Sequence, residues 1–235
     1  HAYFPNAEID YLVRKGNEGL LKDHPFLHET LVWDKQEGKI KNLLRMLSLI
    51  RKRRYDKVIN VQRFAATGIL TAFSGAKETI GFDKNPLSFL FTRKVKHVIS
   101  TSDHPVHEIE RNNALIAHFT DDTVFRPKLY PAAADNAMVA AYQQQPYICI
   151  APASVWFTKQ YPAEKWIDFI QKVPARYTIY LIGAPSDKAI CAEMITRSGR
   201  EGIVNLCGQL GFLASAALMK GAVMNYVNDS APMHF

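Results

Sequence analysis

Lys159 stands one residue after Thr158 and five after Ser154, in a loop that follows the apolar run Tyr147-Ile-Cys-Ile-Ala-Pro152 and precedes a helix-forming segment. An ammonium, two hydroxyls and the free amides of a helix start are the groups that together hold a phosphate. If 147–150 is a strand of an open α/β sheet, this loop lies beyond its carboxyl end, where such sheets bind ligands. Pro162 suits the first turn of a helix over 163–173, where its missing N–H costs nothing. Trp156 and Phe157 either form a platform for a ligand or pack against that helix. On spacing alone, a long surface loop with a solvated lysine is the plain alternative. Later strand ends carry Asp187 and the pair Asp229-Ser230. Asp229 precedes Ser-Ala-Pro, so it is either a simple helix cap or part of an anion-binding helix start.

Two other clusters are weaker. His104-Pro-Val-His107-Glu108 offers two imidazoles and a carboxylate, but a proline separates the histidines and no third ligand follows at helical spacing, so it reads as a helix start and not a metal site. Asp10 and Asp34 read as surface or turn residues. The chain has no Asp-x-Asp, the carboxylate pair that holds a divalent cation on a sugar nucleotide.

The elements that must position these residues alternate short β-branched runs with helical periods, the pattern of parallel sheets covered by helices. Strands are expected at 9–13, 29–33, 57–61, 79–82, 147–150, 178–182, 203–206 and 223–227. Helices are expected at 40–53, 108–119, 132–145, 163–173, 186–198 and 212–220. Within 40–53 the apolar residues Leu43, Leu44, Leu47 and Ile50 mark one face. The prolines of Arg126-Pro-Lys-Leu-Tyr-Pro131 cannot continue a helix and mark a crossing between two domains, 1–131 and 132–235. The helix tail at the start and the fresh helix start after Pro232 read as a chain missing residues at both ends.

Composition is that of a globular protein, with 48% apolar and 22% charged residues. There is no apolar run of ~18 residues and no secretory pattern, which reads as cytoplasmic. Cys149, Cys191 and Cys207 form no CxxC and read as buried thiols of a reducing compartment. The net charge of +7 favours acidic partners. Its sharpest run, Arg51-Lys-Arg-Arg54, is better read as cations at a helix end than as a nucleic-acid patch, since no aromatic residues interleave with it.

In combination, Ala151-Pro-Ala-Ser-Val-Trp-Phe-Thr-Lys-Gln-Tyr-Pro-Ala-Glu-Lys-Trp166, Leu181-Ile-Gly-Ala-Pro-Ser-Asp187, Asn205-Leu-Cys-Gly208 and Val227-Asn-Asp-Ser-Ala-Pro-Met-His234 resemble the C-terminal half of the ADP-heptose:lipopolysaccharide heptosyltransferases, glycosyltransferase family 9. Asp56-Lys-Val-Ile-Asn-Val-Gln62 resembles the strand leading to that family's acceptor-side loop. The resemblance implies a GT-B architecture, two Rossmann-like domains facing across a cleft, and inverting, metal-independent transfer of heptose from ADP-heptose to the inner core of lipopolysaccharide at the inner membrane surface. No cofactor and no nucleic acid are implied. By position, Lys159 with Ser154 and Thr158 would hold the diphosphate. Asp187, with Glu193 as a substitute, would contact the nucleoside, and Asp229 with Ser230 the donor sugar and phosphates. Ala231 stands where the family usually has glycine. Gln62 and Arg63 would face the cleft, Arg63 pairing with a phosphorylated acceptor sugar or only with solvent, and Lys77 is a further acceptor candidate. The family's catalytic base resembles an Asp in a Gly-Asp loop ahead of His1, so no catalytic residue is assigned. The rivals are another GT-B transferase or epimerase with a different nucleotide sugar, and a non-catalytic α/β ligand-binding module.

Overall fold

Among the described residues the short apolar runs become strands that pair only in parallel, as the alternation with helices requires. The structure is a computed structural model that describes residues 3–36, 38–121, 123 and 125–235. Two units are formed, one of His1–Gly16 with Phe26–Pro127 and the other of Asn17–Pro25 with Lys128–Phe235.

In the first unit, β1 (Asp10–Arg14) pairs with β2 (Glu29–Trp33), and α1 (Lys39–Arg53) follows. Then come β3 (Lys57–Asn60), α2 (Ala65–Ala72), β4 (Glu78–Phe82), β5 (Arg93–Val95) and α3 (Glu108–Asn113), with the sheet order β3-β4-β5. Leu43, Met46, Leu47 and Ile50 of α1 pack with Leu31, Trp33 and Leu70. Leu44, expected on that face, is exposed because one residue along a helix turns the side chain by about 100°. The helix ends at Arg54 with φ +53°, and Arg51, Lys52 and Arg53 in its last turn complement the dipole. The helix expected over 108–119 stops at Asn113. Leu115, Ile116 and Phe119 continue as tighter turns, each N–H donating to the carbonyl three residues back.

In the second unit the 3₁₀ segment Glu18–Leu21 packs on a later helix, with Gly19 against Phe212. After it come α4 (Ala133–Val139), β6 (Tyr147–Ala151), α5 (Ala163–Lys172), β7 (Thr178–Leu181), α6 (Lys188–Ser198), β8 (Ile203–Asn205), α7 (Phe212–Gly221) and β9 (Met224–Val227). The sheet runs β8-β7-β6-β9. All five residues of β6 are buried, as expected for a central strand covered on both faces. Tyr147, Cys149 and Ala151 join Val139, Ala214, Ala217 and Leu218 on one side, while Ile148 and Ile150 join Trp166, Ile167, Ile170 and Met194 on the other. The three cysteines are free and buried, and burial pushes the Cys149 thiol up to about 12.

Candidate functional site

Because β9, β6 and β7 are adjacent and parallel, their carboxyl ends open on one edge of the second-unit sheet. The loop after β6 is fastened at both ends by Asn228, which follows β9 and is 6% exposed. Its backbone N–H donates to Ala151 O at 3.1 Å, its Nδ2 donates to Pro152 O at 2.5 Å, and its Oδ1 accepts from the Tyr161 N–H at 3.2 Å. Asn228 is not among the site residues expected from the sequence. The available signal was a polar amide closing an apolar strand, which is buried here because β9 pairs with β6 and the amide bonds to the loop after β6.

Within that frame Lys159 and Ser154 both reach Asp229, and Ser230 adjoins them. Lys159, in the 3₁₀ turn Phe157–Lys159, places Nζ 2.6 Å from Asp229 Oδ2. The Ser154 hydroxyl donates to Asp229 O at 3.0 Å, and the Gln160 amide donates to Ser154 O at 2.6 Å. The Ser230 hydroxyl donates to Asn228 O at 3.2 Å. Thr158 is exposed beside Lys159. Val155, Trp156 and Phe157 are exposed too, so the two aromatics do not pack against α5. Pro162 is the residue before α5 and not within its first turn: its ψ of 138° is extended, and its carbonyl accepts from the Lys165 and Trp166 amides. Asp229 does not cap a helix. The segment after it is the short 3₁₀ turn Ala231–His234, and the Asp229 carboxylate is taken by Lys159.

Asp187 closes the turn after β7. Its Oδ2 accepts the Ala184 N–H at 2.8 Å and its Oδ1 accepts the Ser186 hydroxyl at 3.1 Å. These bonds shorten the helix expected from 186, which begins at Lys188. Gly183 is required here, since a Cβ would lie 2.7 Å from Asp187 Oδ2 and 3.2 Å from Cys207 Sγ. Glu193 instead pairs with Arg197 on the outside of α6 at 3.2 Å.

In the first unit, Gln62 and Arg63 follow β3 at the carboxyl edge of its sheet. The Gln62 N–H donates to Asn60 Oδ1 at 2.9 Å, and the Gln62 and Phe64 carbonyls accept from the buried Asn85 amide at 3.2 and 3.1 Å. Arg63 is exposed. Lys77 is not brought near it in the sheet. It precedes β4 at the opposite, amino edge and pairs with Asp56 at 2.6 Å. Asp10 is likewise no surface residue, its side chain being 5% exposed. Burial alone would raise its carboxyl, but hydrogen bonds from Tyr55 and His28 hold it below the ordinary value. Asp34 pairs with Lys15 at 2.7 Å. His107 starts α3 as expected of a helix start, its Nδ1 accepting the Ile109 N–H at 3.1 Å. Among the described residues Asp10, His28 and Glu29 bring three possible ligand atoms within 4.8 Å, at the amino ends of β1 and β2. Tyr55 and Arg53 already engage that cluster.

The family model described as glycosyltransferase family 9 (heptosyltransferase) matches residues 43–235. Lipopolysaccharide heptosyltransferase 3 of Escherichia coli strain K12 is 25% identical over 245 residues, covering 98% of this chain and 71% of its own length. The structure of E. coli ADP-heptose LPS heptosyltransferase II superposes with a TM-score of 0.81 at 19% identity, over 99% of this chain and 73% of that one. E. coli heptosyltransferase WaaC with ADP gives 0.73 at 17% identity, over 99% and 75%. These likenesses carry the GT-B fold, with its parallel α/β units.

Proposed function

This chain belongs to glycosyltransferase family 9 (heptosyltransferase) and is a glycosyltransferase, and from that premise we propose that it moves heptose from ADP-heptose to the inner core of lipopolysaccharide. The observation that carries the donor assignment is the contact of Lys159 Nζ with Asp229 Oδ2 at 2.6 Å, at the carboxyl edge where Ser154 and Ser230 also lie. Both partners are half exposed, and such an ion pair is worth only about 0–1 kcal/mol. An arriving diphosphate, with more charge than a carboxylate, therefore takes Lys159 at little cost. Asp229 is thereby released to accept hydrogen bonds from hydroxyls of the donor sugar.

In the proposed reaction an acceptor hydroxyl gives up its proton to a base assigned to no residue here, and its oxygen bonds to the anomeric carbon as the bond from that carbon to the diphosphate breaks, with inversion. Negative charge grows on the leaving diphosphate. Lys159, helped by the Ser154 and Thr158 hydroxyls, meets it with donors held in place before the reaction. Asp187 lies toward the nucleoside, its carboxylate already set by the turn. Gln62 and Arg63 serve the acceptor from the first unit. No helix of the described residues is long and apolar enough to cross a membrane. The acceptor is a membrane glycolipid, so the chain would meet it as a peripheral protein on the inner membrane's inner face, where a net charge of +7 suits an anionic surface.

Initial rates with an inner-core acceptor and, in turn, ADP-heptose, UDP-sugars and GDP-sugars test the reading. Transfer from ADP-heptose well above the others is expected. Preference for a UDP- or GDP-sugar would overturn the donor assignment.

A further inference from the structure

The fifteen residues of α1, KIKNLLRMLSLIRKR, hold six cations and no carboxylate. One helix thus carries a charge of +6 in a chain whose net charge is +7. Arg51, Lys52 and Arg53 in the last turn complement the helix dipole. Lys39 and Lys41 stand in the first turn, where the dipole disfavours positive charge. Lys41 and Arg45 add a like-charge pair four residues apart, which costs helix stability. Folding alone therefore does not account for this distribution.

With about 100° between successive residues, Ile40, Lys41, Leu44, Arg45, Arg51 and Lys52 share the side turned away from Met46 and Ile50, which pack with Leu31 and Trp33. All six are exposed. Arg53 is taken by Glu29, whereas Lys41, Arg45, Arg51 and Lys52 make no ion pair among the described residues. Ile40 is 75% exposed and Leu44 57%, one helical turn apart with cations on either side. Two aliphatic side chains held in water add nothing to the core and forgo the favourable transfer that burial brings.

We infer that this side of α1 docks on an anionic phospholipid bilayer, with Ile40 and Leu44 entering the headgroup layer and Lys41, Arg45, Arg51 and Lys52 meeting lipid phosphates around them. Long cationic side chains lay their methylene stems along apolar surface and carry their charge out to the phosphates, so one interface satisfies both kinds of side chain. A nucleic acid would pair with the cations but leave the aliphatic pair in water, and α1 contains no aromatic residue on which a base could stack. The inward face of α1 is already spent on the core, so the helix lies on the bilayer and does not cross it. The inference rests on the peripheral membrane reading given above and adds the face that makes the contact.

Co-sedimentation of the full chain with vesicles of phosphatidylcholine alone, and of phosphatidylcholine mixed with phosphatidylglycerol, tests it. Binding to the mixed vesicles is expected, falling steeply as added salt screens the charges. Each cation near an anionic surface strengthens binding about fivefold, so Lys41→Gln, Arg45→Gln, Arg51→Gln and Lys52→Gln together should weaken it by about 10²–10³. Ile40→Ser with Leu44→Ser should weaken it about tenfold or more, by removing the apolar surface that inserts. The second variant keeps every charge, so it reports even where the first disturbs the fold. Equal binding to the neutral vesicles, or native affinity in either variant, overturns the inference. So does tighter binding to single-stranded poly(U) that the serine variant leaves unchanged, which would give the face to nucleic acid. Neither readout uses donor or transfer. Loss of vesicle binding leaves the heptosyltransferase reading standing, and failure of heptose transfer leaves the vesicle result to decide the docking face.

Discussion

In the second unit the loops after β6 and β9 bond to each other through Asn228, Ser154 and Lys159, and the loop after β7 closes on Asp187. In the first unit the loops after β3 and β4 are joined by Asn85, but Arg63 and His97 Nδ1 beside them lack partners among the described residues. The first unit pairs Lys15 with Asp34 at the carboxyl ends of β1 and β2, but places its larger charge clusters at the other edge of its sheets, where Glu78 meets Lys57, Arg93 and His118, and Asp10 meets His28 and Tyr55. The difference separates two ways of preparing a site. One edge is held by its own side chains and gives up a weak internal ion pair to a ligand. The other stays electrostatically unsatisfied while the opposite edge supplies cohesion.

The largest effect that could break this contrast is at Lys159. Lys159→Ala should lower the transfer rate by about 10²–10³, the cost of removing one preorganised charge contact. The melting temperature should stay close to native, because the ion pair with Asp229 is half exposed. A rate within a few-fold of native would show that the diphosphate does not rely on this edge.

Next comes a paired substitution of buried amides. Asn228→Ala and Asn85→Ala each strand backbone groups that these side chains satisfy, and each should cost about 1–3 kcal/mol in a denaturant titration. ADP affinity should fall in Asn228→Ala alone, since only that residue holds the loop bearing Lys159. Equal loss of ADP affinity in both variants would erase the distinction between the two edges.

The smallest effect concerns acid. Hydrogen bonding and charge from Lys57, then His118 and Arg93, outweigh burial and depress the Glu78 carboxyl to about 2 from its ordinary 4.5. A depressed carboxyl favours the folded state fully above its unfolded value and loses that contribution as pH falls through the folded one. Native protein should therefore lose stability between pH 4.5 and about 2. Glu78→Gln should flatten that part of the profile, measured as denaturation midpoint against pH. An unchanged acid limb would remove Glu78 from the first unit's cohesion.

Much of the second unit was legible because its strands are short, β-branched and separated by amphipathic helices; β6 and α5 fall within a residue of their expected ends. In the first unit β2 matches its expected bounds, while α2 went unread. Its sequence, AATGILTA, has no polar face and contains Gly68, which sequence propensity penalises. Gly68 is there because a Cβ would run into the Asn85 side chain, a long-range contact invisible in the local pattern. The three-residue β5 is too short to show alternation. In the candidate site, Lys159, Ser154, Asp229 and Ser230 were named from residue type together with the family resemblance, and the fold sets them side by side at the ends of β6 and β9. Asn228 was not, because its role depends on which strand pairs with β6.

Whether Lys159 holds the diphosphate of the donor is read by calorimetric titration of native and Lys159→Ala protein with ADP and with AMP. The substitution should weaken ADP by about tenfold or more and leave AMP nearly unchanged, since one charge-assisted contact to the second phosphate is lost. Equal weakening of both nucleotides, or of neither, would contradict it.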